Sequence, residues 1–298
     1  MARPKNETKR SQVIEVVEKL KDYWPITVRQ CFYRMVSAGH IENNLGAYKS
    51  ISDLLTELRH SEQVQWYAIA DNHRRVTSKR GFGDSSEFLE IITRHLKTGY
   101  SRCLISNQQN YVEVAVEKDT LASIIETITY PFCVRLMINR GNLSTTFKKS
   151  FAERMLKAQS LGQDGVLLYL GDFDPSGMMM FESFKKSVER DFGVTGIRFR
   201  RVALNPEQVS EFCLPKSFVA IKPKDPNAKK FIREHGEYGV ELDALDPPIL
   251  QGIVKKAIEE CFDMSLFAEQ REIEQMERDK LSILSEKVMQ QFSASVAA

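Results

Sequence analysis

The sequence predicts an α/β plus α chain: a parallel α/β middle between a helical amino-terminal region and a helical carboxyl-terminal one. Three observations predict it. From residue 111 to about 215, short apolar runs of strand formers alternate with amphipathic helical stretches, the pattern of a parallel doubly wound sheet. Before residue 105 the apolar residues recur mainly at helical spacing. Past 215 the composition turns charged and helix-forming after a Pro- and Lys-rich stretch. The division expected from these shifts is 1–105, 106–215 and 216–298.

Each element has its own signal. Val13, Val16, Val17 and Leu20 lie on one face of a helix over 10–22. Pro25 interrupts, Thr27 is placed to cap a second helix from Val28 to about Ala38, and Gly39 stops it. Ile51, Leu54, Leu55 and Leu58 mark a third helix over 48–59. An extended run, Val64–Ile69, then leads into a basic loop containing Arg74, Arg75, Lys79 and Arg80. Three helices, a strand and a basic loop follow the order of a winged-helix domain, whose wing touches nucleic-acid backbone. A further helix is expected over 85–97. In the middle region, strands are expected at 111–116, 132–138, 166–170 and 197–203, with helices at 119–127, 145–158 and 176–190 between them. Pro247 and Pro248 open a helix, and the chain to about Gln291 reads as helical.

Composition narrows the function classes. No apolar stretch reaches the roughly 18 residues that cross a bilayer, and the start lacks the apolar core of a secretory leader. Five scattered cysteines without Cys-x-x-Cys spacing argue against zinc and against a disulfide framework. A protein of the reducing cytoplasm fits. Residues 1–105 carry 17 Lys and Arg against 12 Asp and Glu, while the remainder is acidic. A basic first region beside an acidic one suits contact with phosphate backbone, although solvated surface charge explains the same excess.

The chemistry concentrates at strand ends. Leu167–Leu170 stops abruptly at Gly171-Asp172-Phe173-Asp174-Pro175-Ser176-Gly177. The run Val112–Val116 ends likewise at Glu117, followed by Lys118. Parallel strands that deliver acids at their carboxyl ends place them in the crevice of an open sheet. Carboxylates alone suit a hard cation, Mg²⁺ above all, with Mn²⁺ as a substitute. An acid at a strand end also caps the next helix, and Lys118 reads equally well as a solvated charge. A second constellation is Arg29 with Tyr33, four residues apart on one helical face. A phenol of pKa about 10 needs such a partner to act as a nucleophile; the alternative is an aromatic core residue. Arg200 and Arg201 are further candidate phosphate contacts or surface charges.

Glu-Lys after one strand and Gly-Asp-x-Asp-Pro-x-Gly after a later one resemble the Toprim domain of topoisomerases and primases. Arg201–Val209, Leu214-Pro215, Val240–Leu245 and the segment Thr27–Arg34 together resemble the A subunit of type IIB topoisomerases and the related meiotic double-strand-break transesterase. The resemblance spans about 12 to 260. It departs from the family pattern at Phe32 and Gln30, and the chain is short, as in reduced relatives with an A subunit alone. It implies a topoisomerase-like transesterase: Tyr33 attacks double-stranded DNA with Arg29 at the phosphate, forming a 5′-phosphotyrosyl link, while Glu117, Asp172 and Asp174 hold Mg²⁺. It further implies a homodimer with Tyr33 at the groove's rim, serving the partner's metal site. No Gly-x-x-x-x-Gly-Lys-Ser/Thr is present, so strand passage, if it occurs, depends on a separate GHKL-type ATPase subunit or runs without ATP. Two other readings stay open: a Toprim nuclease using metal-activated water, and a DNA-binding module without catalysis.

Overall fold

The computed structural model describes residues 4–70, 81–139, 143–216, 221 and 228–296. Its helices α1 (Pro4–Lys19), α2 (Val28–Ser37) and α3 (Leu45–His60) pack together. Val13, Val17, Ile51, Leu55 and Leu58 are buried from their apolar faces. Thr27 starts α2 with a capping box: its hydroxyl accepts from Gln30 N–H, while Gln30 returns a bond to the Thr27 amide.

The strand expected over 64–69 is absent. Trp66–Ala68 form a single 3-10 turn, and only Ile69 bridges, in parallel, to Ile26. Ile26 lies between Pro25, which has no N–H, and Thr27, which already begins α2, so its segment is too short for a ladder. The expected basic loop with Arg74, Arg75, Lys79 and Arg80 lies outside the described residues. A winged helix is therefore not established by the described residues.

After α4 (Ser85–Thr98) comes the alternating region. Its elements are β1 (Asn110–Val116), α5 (Ala122–Thr129), β2 (Arg135–Ile138), α6 (Thr145–Ser160), β3 (Asp164–Leu170), α7 (Pro175–Phe192) and β4 (Arg198–Ala203). The four strands form one parallel sheet in the order β2-β1-β3-β4, in keeping with the expected α/β class. Tyr130–Phe132 wind into a 3-10 turn, which shortens β2 relative to its expected start at 132. Side chains alternate across the sheet: Ala115, Leu167 and Tyr169 meet Phe151 and Met155 of α6 and Phe181, Phe184 and Val188 of α7 in one apolar core. Leu167 to Leu170 are all buried, as a central parallel strand covered on both faces should be. From β1 the chain winds out to β2, then crosses back to β3 and on to β4. The direction of winding reverses between β1 and β3, and ligand crevices of open sheets form at the carboxyl end of such a reversal.

The remaining elements are α8 (Pro206–Glu211), α9 (Ala228–His235), α10 (Pro247–Glu259) and α11 (Met264–Val296). Among the described residues no helix is long and apolar enough to cross a membrane. The chain packs as two units, 1–73 with 109–261 and 74–108 with 262–298, which differs from the linear division at 105 and 215. In the second unit α4 lies along α11. There Arg102 donates to Gln270 at 2.7 Å and to Glu277 at 2.9 Å, and Arg278 pairs with Glu274 at 2.8 Å.

Candidate metal and phosphate site

Val116 of β1 and Leu170 of β3 are register partners, so the residues that follow them emerge side by side at the sheet's carboxyl edge. Glu117 N–H donates to Leu170 O at 2.9 Å, which continues the ladder one step and fixes where the Glu117 carboxylate leaves it. Its Oε2 accepts from Asp172 N–H at 3.0 Å. Asp174 Oδ1 accepts from Gly177 N–H at 2.7 Å and caps α7. Capping and site membership thus coincide in Asp174. The two glycines let the turn pack closely against Glu117. A Cβ at Gly171 would come within 2.6 Å of Glu117 Oε2, and one at Gly177 within 3.0 Å of the same atom and 2.4 Å of Asp172 O.

A second acidic segment closes on these residues from far along the chain. Phe173 and Val240 exchange backbone hydrogen bonds of 2.8 and 2.9 Å. That bridge brings Leu242 N–H to Asp172 Oδ1 at 2.8 Å and presents Glu241 and Asp243. Lys118 Nζ lies 3.0 Å from Asp172 Oδ2, 3.2 Å from Glu241 Oε2 and 3.1 Å from Asp243 Oδ2. Arg29 grips Glu241 through Nη1, at 2.6 and 2.5 Å to its two oxygens. Thr27 Oγ1 donates to Asp243 Oδ1 at 2.9 Å. The 241–246 segment therefore ties α2 to the carboxyl edge of the sheet.

The electrostatics follow from this crowding. Burial raises the Glu117 carboxyl to about 7, reinforced by the neighbouring charges of Asp172 and Asp174. Burial also pushes Asp172 upward, against the pull of Lys118. Burial works against the charge on Lys118, yet Asp243, Asp172 and Glu241 hold its ammonium far above the ordinary range. Arg201, expected as a possible phosphate contact, is half-buried and structural. It donates to the carbonyls of Gly171 (2.9 Å), Asp172 (2.6 Å), Gly177 (3.2 Å) and Leu204 (3.0 Å) and so fixes the turn that carries Asp172. Arg200 is half exposed and pairs with Glu260 at 2.7 Å.

The other expected residues fare differently. Arg29 reaches the acidic network, but Tyr33 is fully buried, with its ring 5.2 Å from that of Phe32 in an edge contact. It does not stand at a groove's rim. The cause is that α2 packs against α1, α3 and the turn Leu242–Ala244, which buries Cys31, Phe32, Tyr33 and Met35 on several sides of the helix.

Among the described residues, no three His, Cys, Asp or Glu side chains are arranged as a metal-holding group. Asp172 spends both oxygens on Leu242 N–H and Lys118. The donor chemistry still suits a hard cation: carboxylate oxygens only, brought together by a close approach that a Cβ at Gly171 or Gly177 would prevent. No hydrogen bond from a described residue engages Glu117 Oε1 or Asp174 Oδ2. Glu241, Asp243 and the pairing role of Lys118 were not legible as site features from spacing; the resemblance of Val240–Leu245 was the one signal that pointed to that segment. The chain matches no family model, no curated protein and no solved structure.

Proposed function

We propose that the chain is a Toprim-type enzyme that cuts the phosphodiester backbone of double-stranded DNA, with Mg²⁺ or Mn²⁺ held by Glu117, Asp172 and Asp174. One observation carries the reading. Glu117 and the Asp172–Asp174 turn meet at the winding reversal between β1 and β3, close enough for Glu117 Oε2 to accept from Asp172 N–H at 3.0 Å. A divalent cation there supplies charge neutralisation at phosphoryl oxygens and a more acidic bound water. The protein's own part is positional and protonic. Arg201 and the two glycines let the turn pack closely on Glu117, and Glu117, raised to about 7 without metal, would release its proton on taking a cation.

Water is the nucleophile this packing favours, because Tyr33 is fully buried. The transesterase reading is second. It rests on the resemblance around Tyr33 and on the contact of α2 with the acidic network through Arg29 and Glu241. It requires α2 to expose Tyr33 to DNA, in a homodimer and with a separate ATPase if strands are passed.

Incubating supercoiled plasmid with the protein and Mg²⁺ or Mn²⁺ separates these readings. Hydrolysis predicts nicked or linear DNA without a protein-linked end, activity largely kept in Tyr33→Phe, and activity lost by at least about a hundredfold in Asp172→Asn. A 5′-linked protein–DNA adduct that vanishes in Tyr33→Phe would establish the transesterase instead. Salt-dependent duplex binding without cleavage under either metal would leave a binding module.

A further inference from the structure

The acidic network contains a charge imbalance that bears on how a cation enters it. Among the described residues, five carboxylates, Glu117, Asp172, Asp174, Glu241 and Asp243, face three cations, Lys118, Arg29 and Arg201, which leaves an excess of two negative charges when all are ionised. The cations are not equivalent. Arg201 is spent on backbone carbonyls, and Arg29 sits on Glu241. Among the cations of the described residues, Lys118 alone touches both the Asp-x-Asp turn and the 241–243 segment, with three carboxylates at 3.0–3.2 Å.

We propose that Lys118 is a tethered counter-cation of this site, pairing with Asp172 Oδ2 when no divalent cation is held and leaving that oxygen to the cation when one enters. The inference rests on the metal reading above. Its physical basis is that Lys118 loses little by the exchange. With Asp172 drawn toward a cation, Lys118 keeps Glu241 and the fully buried Asp243 as partners, so no buried charge is stranded. Conversely, Asp243 and Glu241 anchor the ammonium from the far side and stop it from moving deeper among the ligands. Lys118 is thus a positioning residue: it acts on the cation through Asp172, it lowers the site's affinity, and it keeps the carboxylates together without metal.

The test is Mn²⁺ binding to the full chain at constant ionic strength, with free Mn²⁺ followed by electron paramagnetic resonance. Removing a positive charge 3.0 Å from Asp172 is expected to tighten Mn²⁺ binding about tenfold in Lys118→Gln, a coupling of the size usual between linked sites. Because that variant leaves Asp243 buried beside one hydroxyl, Lys118→Gln/Asp243→Asn is measured beside it as the variant better able to fold, and a smaller tightening is expected, since it also removes one negative charge near Asp172. A purely structural lysine would give the opposite sign, since a loosened site binds metal more weakly. Equal or weaker binding in the folded variants overturns the counter-cation while leaving the metal reading intact. Absence of Mn²⁺ binding in wild type and variants alike overturns both.

Discussion

Glu117 holds its proton to about pH 7 because burial and the nearby carboxylates Asp172 and Asp174 penalise its charge. The consequence for stability has a definite sign. The folded state binds more protons than the unfolded chain between about pH 4.5 and about pH 7, so this group's contribution is present at the acid side and is lost as pH rises through the folded value. In chelator, wild-type Tm should fall across this window by about 3 °C more than that of Glu117→Gln, as read by calorimetry. Equal slopes in the two proteins would show that Glu117 is not the group responsible. The acids themselves were legible because each ends an apolar strand run, where few other residue types explain the break. Lys118, by contrast, reads from sequence either as a residue that tunes the site or as a solvated charge at a helix start, and its partners are not legible there. Its role is conferred by Glu241 and Asp243, more than a hundred residues away, and no local period encodes such a meeting.

Among the elements, α2 illustrates how far a pattern reaches and where it stops. Thr27 as N-cap and the helix Val28–Ser37 follow from capping chemistry and apolar spacing. The spacing of Arg29 and Tyr33 places them on one face, but a face does not say what packs against it. Arg29 leaves the helix and reaches Glu241, whereas Tyr33 is enclosed by the elements packed around α2. The run over 64–69 failed as a strand for a related reason. Strand formers need a partner segment, and Ile26 provides one residue of it. Thr27 now has two duties, capping α2 through Gln30 N–H and donating to buried Asp243. Thr27→Ala removes both and should cost about 2 kcal/mol in urea unfolding, from a lost cap and a weakened buried carboxylate. Thr27→Ser keeps the hydroxyl and should stay within about 0.5 kcal/mol of wild type. Similar losses in both variants would mean that the methyl group's packing, not the hydroxyl, matters.

At the scale of the whole molecule, the chain's linear order hides its packing. A sequence reading divides a chain at composition shifts, and those fall near 105 and 215. Packing instead joins 74–108 to 262–298, and 1–73 to 109–261. The pairing of 74–108 with 262–298 is built by α4 with α11 and by Arg102 reaching Gln270 and Glu277, contacts between segments more than 150 residues apart. An amphipathic helix such as α4 announces that it buries a face but not which later helix covers it. This division has a direct consequence. In a chain ending at Cys261, α4 has no α11 to cover its inner face, and a lone helix of 14 residues is marginal in water. Limited proteolysis of that truncated chain, read by mass spectrometry, should cut first within 85–98, while β1 and β3, buried at the centre of their sheet, resist. In the full chain the same residues should be protected by at least about tenfold in cleavage rate. Early cleavage within the sheet of the truncated chain, or an α4 equally protected in both chains, would mean that the two units do not hold together independently in this way.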